Sequence, residues 1–311
     1  MSVICTVTLN PAFDLHYQLP DLEVGKENYA THVSLQAGGK GINVSRVLKN
    51  AGISNTAYVV LGRENAPAFE AELRRDGVSY VPFYTNGRIR ENMTLHPQND
   101  KETRISLDTF SMQPSVLEEL EEALTKAKAD VLVFAGRLPR GLSKEAVLAF
   151  LTRCRARGTR LVIDSNSFTA EDLSAISPWF IKPNEEEVAA FAGETPKTLF
   201  EAATIARRMV RDGISQNVLI TLGGDGAVWS DGTQALGFSV PKIEHPVSTI
   251  GAGDSTVAGL LVADEKGLTG ANALCLALSY GTAACFTEGT LPPHTEDVNR
   301  ICAQIETVSF G

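Results

Sequence analysis

The sequence has little of what disulfide-stabilised or metal-bound proteins need. Only five cysteines occur among 311 residues, and they are odd in number, widely spaced and without the pairing of a zinc site. We therefore expect them to be reduced core residues. The five histidines are scattered and form no His-Glu-x-x-His pattern, so a histidine-based metal centre is not expected either.

The sequence also lacks the features of membrane and nucleic-acid-binding proteins. No apolar run reaches the roughly 18 residues of a membrane span, and the first residues lack the basic and apolar regions of a signal peptide. Lys and Arg number 28 against 37 Asp and Glu, a net charge of −9, whereas nucleic acids and anionic membranes favour a basic surface. We expect a cytoplasmic protein that binds neither.

Two common nucleotide-binding motifs are absent. The sequence Gly38-Gly39-Lys40-Gly41 is not a Walker motif, because a glycine follows Lys40 where Ser or Thr is required. No Gly-x-Gly-x-x-Gly with an acid about twenty residues later follows a predicted strand, which argues against a dinucleotide site.

The most informative motif that is present runs Thr249-Ile250-Gly251-Ala252-Gly253-Asp254 and is followed at once by a helical pattern. The small residues Gly251, Ala252 and Gly253 allow backbone amides to approach a phosphoryl group, and the N-terminus of the next helix favours negative charge. Asp254 then lies near an attacking hydroxyl, although the hexapeptide alone is equally typical of an N-cap. The motif predicts a kinase active site.

A second glycine-rich motif, residues 37–43, opens another helix. Gly38 and Gly39 permit close approach of a ligand to the backbone, and Lys40 and Asn43 leave the first turn where a polar ligand can be held. The apolar residues that follow share one face, which predicts core packing: Val44, Val47, Leu48 and Ala51.

Short β-branched runs alternate with amphipathic helical patterns along one domain, residues 1–311. The predicted strands are 4–9, 56–61, 131–135, 160–163, 180–182 and 218–222. The predicted helices are 41–51, 66–75, 115–128, 143–157, 184–192, 198–212, 253–266 and 270–286. Strands separated by helices imply an α/β fold with a parallel sheet covered on both faces, and ligands beyond the carboxyl ends of its strands.

Two stretches interrupt this alternation, about 12–36 and 80–108. They contain short alternating segments and few helix signals. Structureless loops of this length are uncommon in compact domains, so we predict a small antiparallel lid.

Four motifs, taken in order, resemble those of the ribokinase-like PfkB family of carbohydrate kinases. They are Thr8-Leu9-Asn10-Pro11-Ala12-Phe13-Asp14, Gly38-Gly39-Lys40-Gly41-Ile42-Asn43, Lys182-Pro183-Asn184-Glu185-Glu186-Glu187 and Gly251-Ala252-Gly253-Asp254. The resemblance spans nearly the whole chain and implies a three-layer α/β/α fold with a mostly parallel central sheet and a β lid. The first two motifs are most similar to those of the branch that acts on phosphosugars.

The resemblance implies ATP and a phosphorylated ketohexose as substrates and Mg²⁺ as cofactor. Asp254 is then the general base, and the amides of Gly251, Ala252 and Gly253 hold the migrating phosphoryl group. Because Asp254 is expected at a helix N-terminus, its pKa is predicted to be low.

On the ATP side, the resemblance implies that Glu187 holds Mg²⁺ through water, since magnesium usually keeps several of its waters. The implied ATP-binding residues are Lys182, Asn184, Thr221, Gly223, Gly226 and Ser279, the last bordering the adenine together with residues 281–284. From the residues alone, Asn184 and Glu187 fit a capping box equally well. The glycines of 221–226 are also typical of a turn between strands.

On the sugar side, the resemblance implies Asp14, Gly38, Gly39, Lys40, Asn43, Arg90 and Asn92 as binding residues. One position departs from the family's Gly-Ser-Leu-Pro-x-Gly loop, because Arg137 stands where Ser is usual. We expect Arg137 to contact the sugar phosphate as an additional cation, the alternative being a solvated side chain.

The expected reaction converts fructose 1-phosphate to fructose 1,6-bisphosphate. Fructose 6-phosphate and tagatose 6-phosphate are alternatives, since flipping a ketofuranose exchanges its phosphate end with its reacting end. A catalytically silent sugar-phosphate sensor is disfavoured by Asp254, and a nucleoside kinase would not need Lys40 and Arg90. The resemblance also implies a homodimer in which two lids pack together, because a lid of few strands needs cover.

Overall fold

The computed structural model describes residues 2–98 and 101–310. Residues 99 and 100 of the predicted lid, and residues 1 and 311 of the predicted domain, lie outside the described residues. The strands are β1 Ile4–Thr8, β2 Ala12–Leu19, β3 His32–Gly38, β4 Asn55–Gly62, β5 Tyr80–Thr85, β6 Arg90–Pro97, β7 Thr103–Ser106, β8 Val131–Ala135, β9 Arg160–Asp164, β10 Phe180–Ile181, β11 Val218–Thr221, β12 Ala227–Ser230, β13 Ala235–Ser239 and β14 Glu306–Phe310. The helices are α1 Lys40–Asn50, α2 Ala66–Arg75, α3 Pro114–Ala127, α4 Lys144–Ala156, α5 Ala170–Ile176, α6 Glu185–Ala192, α7 Leu199–Arg211, α8 Ala252–Glu265, α9 Gly270–Ala284 and α10 Thr295–Cys302.

Ten strands form one sheet in the order β14-β13-β12-β11-β10-β9-β8-β1-β4-β5. The seven strands from β11 to β5 in this order pair in parallel, and β12, β13 and β14 extend one side as an antiparallel meander. Because the central strands are buried on both faces, they read as continuous apolar runs, as in Val131–Ala135. The predicted mostly parallel α/β sheet is confirmed.

Helices cover both faces of this sheet. One apolar cluster joins α2, α3, α4 and α7 to one face through residues such as Phe69, Leu120 and Phe150. The other joins α1, α8, α9 and α10 to the opposite face through residues such as Leu48 and Leu261. The layers are therefore α/β/α, and α1 and α8, which begin with the two glycine-rich motifs, lie side by side on the same face.

Four strands form a separate sheet, ordered β3-β2-β6-β7, which is the lid. Its register aligns polar residues on one face, with Asp14 opposite Asn92 and Thr94 opposite Arg104. The alternate residues give an apolar second face: Leu15 pairs with Met93, and Met93 with Ile105. Because side chains alternate along a strand, the polar face, on which Asp14 and Asn92 are buried, turns toward the domain. The apolar face is partly covered, since Leu15 packs against the main core whereas Val33 and Ile105 are exposed.

The lid differs from the prediction in two ways. It is not wholly antiparallel, because β2 pairs with β6 in parallel, and it is smaller than the sequence suggested. Strand β5, Tyr80–Thr85, pairs with β4 in the large sheet, so the predicted segment 80–108 started too early. The residue pattern of β5, partly apolar on both faces, does not distinguish a lid strand from the edge of the main sheet. The sequence reasoning also missed the short helices α5 and α10 and the antiparallel strands β12 to β14.

Candidate active site

The Thr249–Asp254 motif forms a tight turn into the N-terminus of α8. Gly251 is the N-cap and adopts φ 79°, a left-handed conformation that favours glycine. No side chain caps this helix, and Asp254 lies inside its first turn. The N-cap alternative for Asp254 is therefore wrong, and the helix N-terminus is not occupied by a capping side chain.

Asp254 is buried at the centre of a charged cluster. Its Oδ2 accepts a hydrogen bond of 2.7 Å from Nδ2 of Asn43, which projects from the first turn of α1. Burial and the charge of Asp164 raise the pKa of Asp254 to about 6, against the opposing effects of Lys40, Asn43 and Lys182. The prediction of a low pKa from the helix N-terminus is thus wrong, because the loss of solvation outweighs the effect of the helix dipole.

Lys40 and Lys182 compensate the acids of this cluster. Nζ of Lys40 lies 3.1 Å from Oδ1 of Asp164, at the carboxyl end of β9. Burial opposes ionisation of Asp164, but the charges of Lys182 and Lys40 outweigh it and hold the pKa of Asp164 below its usual range. Nζ of Lys182 sits against the turn, 3.0 Å from where a Cβ on Gly253 would be.

A cavity of about 330 Å³ extends from Asp254 to the lid. Its lid wall carries Asp14, whose Oδ1 accepts hydrogen bonds from Asn92 (2.8 Å) and Arg104 (3.2 Å). Arg90 lies alongside and donates to Oδ1 of Asn92 at 2.8 Å and to Oδ1 of Asn10 at 2.9 Å. Two guanidinium groups and a carboxylate therefore face one end of this cavity, and Asp254 faces the other. We call it the sugar cavity after the ligand expected there.

Glycine at position 38 allows this arrangement. A Cβ at Gly38 would come within 2.0 Å of Oδ2 of Asp14, so any side chain there would displace the carboxylate. The neighbouring Gly39 lines the cavity itself and has φ 137°. The two glycines thus bring the end of β3 against Asp14 and lead directly into α1.

A second cavity, of about 490 Å³, lies on the other side of Gly253. Thr221, Gly223 and Gly226 line it from the turn after β11, and Thr256 lines it from α8. The wall farther from Gly253 is largely apolar and is formed by Val240, Pro241, Ile243, Leu278 and Cys285. A polar end beside a helix N-terminus and an apolar end suit a nucleotide, with phosphates and base respectively.

The two cavities share Gly253 and Asn184 as lining residues. The turn Gly251-Ala252-Gly253, which we call the anion-binding turn, and Asp254 therefore lie where a group can pass from a ligand in one cavity to a ligand in the other.

Asn184 and Glu187 form the capping box of α6. Oδ1 of Asn184 accepts from the Glu187 amide at 2.9 Å, and Oε2 of Glu187 accepts from the Asn184 amide at 3.0 Å. Glu187 also lines the sugar cavity. Within residues 2–98 and 101–310, no group of three or more His, Cys, Asp and Glu side chains is arranged to hold a metal ion.

Three predicted residues line neither cavity: Gly38, Ser279 and Arg137. Ser279 is fully buried and donates to the Cys275 carbonyl at 2.6 Å, so it does not border the nucleotide cavity, whereas Gly281 does. Arg137 is exposed and does not line the sugar cavity. Burial and the charge of Arg104 lower the pKa of Arg90, and the charge of Arg137 adds to this effect.

Three residues that line the sugar cavity were not predicted as site residues from the sequence: Arg104, Asp164 and Thr290. Asp164 carried a detectable signal, since it directly follows a predicted strand at the carboxyl edge of the sheet. Arg104 is one of several Lys and Arg residues in the lid region, and Thr290 lies in an irregular segment, so nothing in the sequence distinguishes them.

A doubly wound sheet with two cavities that meet at an anion-binding turn and a buried carboxylate has the architecture of a phosphotransferase. The sequence model described as pfkB family carbohydrate kinase matches residues 7–297. The chain belongs to the pfkB family of carbohydrate kinases, as its motifs predicted.

Individual relatives agree with this family. The 1-phosphofructokinase of Haemophilus influenzae is 31% identical over 286 residues, 91% of this chain and 91% of that protein. The 1-phosphofructokinase of Vibrio cholerae is 30% identical over 305 residues, 97% of this chain and 96% of that protein. Phosphofructokinase-2 of Escherichia coli in complex with potassium superposes with a TM-score of 0.90 at 24% identity, over 98% of this chain and 99% of that one, and so shares the fold.

Among the described residues, no helix has both the length and the apolar character needed to cross a membrane.

Proposed function

We propose that this carbohydrate kinase transfers the γ-phosphoryl group of ATP to O6 of fructose 1-phosphate, forming fructose 1,6-bisphosphate and ADP in the cytoplasm. The observation that carries this proposal is the 31% identity, over 91% of the chain, to a 1-phosphofructokinase. The cations of the sugar cavity support it. A protein with a net charge of −9 needs local cations to bind a phosphosugar, and Arg90 and Arg104 meet that need at the lid end.

An ADP-release assay tests the substrate. The purified protein is supplied with MgATP and, in turn, fructose 1-phosphate, fructose 6-phosphate, tagatose 6-phosphate and fructose. We expect the highest kcat/KM with fructose 1-phosphate. A higher value with either other phosphosugar would reassign the acceptor within the family, and a higher value with unphosphorylated fructose would refute the phosphosugar assignment.

In the proposed mechanism, Asp254 accepts the proton of the attacking hydroxyl. A base is most effective when its pKa lies near the working pH, and a pKa of about 6 meets this condition better than the usual value of Asp. The Asn43 amide orients the carboxylate. The amides of Gly251, Ala252 and Gly253, with Lys182 beside them, stabilise the charge on the migrating phosphoryl group. Because Lys40 pairs with Asp164 near Asp254, we assign it to this reacting end rather than to the sugar phosphate.

Mg²⁺ fits this site as an ion held mainly by nucleotide phosphates and water. Mg²⁺ commonly uses only one or two carboxylates in addition to phosphates, so it does not need a three-residue protein cluster. Glu187, at the sugar-cavity wall, and Asn184, which lines both cavities, are the residues that would hold its water shell. When bound, the ion neutralises charge on the phosphates.

The pH dependence of kcat/KM should show an acid limb near pH 6. Asp254 accepts a proton only when ionised, so activity should be lost as the pH falls through its pKa of about 6. Because the charge of Lys40 lowers this pKa, Lys40→Met should move the limb upward. A limb that arises from the substrate's phosphate group, whose second pKa is also about 6, would stay in place.

We propose that Arg137 contributes to binding of the sugar phosphate when the substrate is present. Arg137→Ser should then raise KM for the phosphosugar by up to about 10-fold, less than for a buried cation because an exposed charge is screened. KM for ATP should not change. An unaltered phosphosugar KM at both low and high ionic strength would assign Arg137 to the solvent.

We propose that the lids of two protomers pack together. The apolar lid face carries Val33 and Ile105, which are 48% and 45% exposed, and this exposed part of the face favours a partner surface. Light scattering at assay concentration should give a dimeric mass, and Ile105→Lys should give a monomer. A fully active monomeric wild-type protein would refute the proposal.

A further inference from the structure

Arg46, on α1, is a buried cation that the proposed reaction does not use. It is 4% exposed, and its Nε donates to Oδ2 of Asp76 at 2.9 Å, with Nη2 2.8 Å from the same oxygen. Asp76, the C-cap residue that follows α2, lines neither cavity. A buried ion pair needs only such a partner to compensate its charge. The guanidinium makes three more contacts, and all of them are with elements of the active site.

The first of these contacts leads to Asp254. Nη1 of Arg46 donates to Oδ1 of Asn43 at 3.2 Å, and Nδ2 of Asn43 donates to Oδ2 of Asp254 at 2.7 Å. Asn43 and Arg46 lie three residues apart, on one face of α1. A guanidinium only donates and an ionised carboxylate only accepts. The Asn43 amide, which lies between them, can satisfy both in one orientation only.

The other two contacts hold the walls of the sugar cavity. Nη2 of Arg46 donates to the Ala37 carbonyl at 2.6 Å, immediately before Gly38 and Gly39. Nη1 also donates to Oγ1 of Thr290 at 3.2 Å, and Thr290 packs against Gly251 of the anion-binding turn. One planar group with five donors thus joins α1, the end of the lid and the segment beside the turn.

We propose that Arg46 is a positioning residue for the phosphoryl-transfer step, which fixes the Asn43 amide so that it donates to the general base Asp254. This inference rests on the proposed function only where kcat/KM is measured, because the pKa of Asp254 can be measured without substrate. In the absence of Arg46, the amide can rotate and present its oxygen to Asp254. The carboxylate would then lose a hydrogen bond that favours its ionised form, and its pKa would rise.

The other charges that face Asp254 do not depend on Arg46. They come from Asp164 at the end of β9, Lys40 on α1 and Lys182 after β10. Lys40 is held by Asp164, and Arg46 is held by Asp76, so the two ion pairs are separate. None of these charges links Arg46 to Asp254, whereas the Asn43 amide contacts both and provides a direct path.

The test measures the pKa of the Asp254 carboxyl by ¹³C NMR in the substrate-free protein, assigned by the signal that disappears in Asp254→Asn. Arg46→Ala should raise this pKa by about one unit, the equivalent of one hydrogen bond, and should move the acid limb of kcat/KM by the same amount. Asn43→Ala should raise it similarly. Because Arg46 acts through Asn43, the double variant should show no further rise.

Asp76→Asn is the matched control. It removes the charge opposite Arg46 and should lower the midpoint of thermal unfolding, but it should leave the Asp254 pKa unchanged. If Arg46→Ala does not fold, Arg46→Lys keeps a cation opposite Asp76 but lacks the planar fork of donors that contacts Asp76 and Asn43 together, so the rise in pKa should persist.

An unchanged Asp254 pKa in a folded Arg46 variant would overturn the proposal and leave Arg46 a structural residue, as would equal rises in the Arg46 and Asp76 variants. A wild-type protein inactive toward all the phosphosugars would instead refute the proposed function, and the NMR measurement would still decide the role of Arg46.

Discussion

Replacing Asp254 by alanine is expected to lower kcat by about 10²- to 10⁴-fold, the usual contribution of a positioned general base. The carboxylate lies at the junction of the two cavities, is oriented by Asn43 and has a pKa raised to about 6 by burial and by Asp164. Its loss removes the proton acceptor and leaves the nucleotide cavity intact, so affinity for ADP should change little. Single-turnover and steady-state kinetics, with equilibrium titration of ADP, measure the two effects.

The matched control for this change is Asp172→Ala. Asp172 is also an acid in the first turn of a helix, α5, where its carboxylate accepts from the Thr169 amide at 2.8 Å as part of a capping box. Removing it should cost about 0.5–2 kcal/mol of stability and leave kcat unaltered. An Asp254→Ala enzyme that keeps more than a tenth of wild-type kcat would exclude Asp254 as the base.

Replacing Arg90 by alanine is expected to raise KM for fructose 1-phosphate by about 10- to 150-fold, which corresponds to the loss of one charge-assisted hydrogen bond worth about 1.5–3 kcal/mol. Arg90 is half-buried at the lid end of the sugar cavity, where Asn10 and Asn92 fix its guanidinium. That end is remote from the nucleotide cavity, and distant sites usually act independently. KM for ATP should therefore stay within about twofold of the wild-type value.

Selectivity provides the sharper measurement for Arg90. The ratio of kcat/KM for fructose 1-phosphate to that for fructose should fall in Arg90→Ala, because only the phosphorylated sugar uses the cation. Arg140→Ala is the control, since Arg140 is a nearby exposed arginine paired with Asp108 at 3.1 Å and lines no part of the cavity. An unchanged selectivity ratio in Arg90→Ala would show that the phosphate binds elsewhere.

Most of the motifs that line the two cavities could be predicted from the sequence, because each is a short contiguous segment. The turn before α8, the glycine motif before α1 and the residues after β10 and β11 each follow local rules for helix N-termini and strand ends. These rules give the position of each motif along the chain. The parallel sheet then brings the motifs to a common edge.

Properties that depend on packing could not be predicted in this way. The pKa of Asp254 was expected to be low from its helix position, but burial and Asp164 reverse the direction. The role of Ser279 was inferred from its place on a late helix, whereas the close packing of α8 and α9 turns Gly281 toward the nucleotide cavity and Ser279 into the core. Arg104 reaches Asp14 through the register of β6 and β7, which has no local sequence signature.

The two cavities draw on different parts of the chain. All residues that line the nucleotide cavity come from positions 184–285, whereas the lid and glycine-motif contributors to the sugar cavity come from positions before 105. On the proposed assignment of the two cavities, mutations that alter recognition of the acceptor can accumulate in the first third of the gene while the donor cavity is inherited unchanged. This separation provides a route by which one ancestral kinase can diversify toward many sugars, and it marks the N-terminal third as the segment to exchange between relatives.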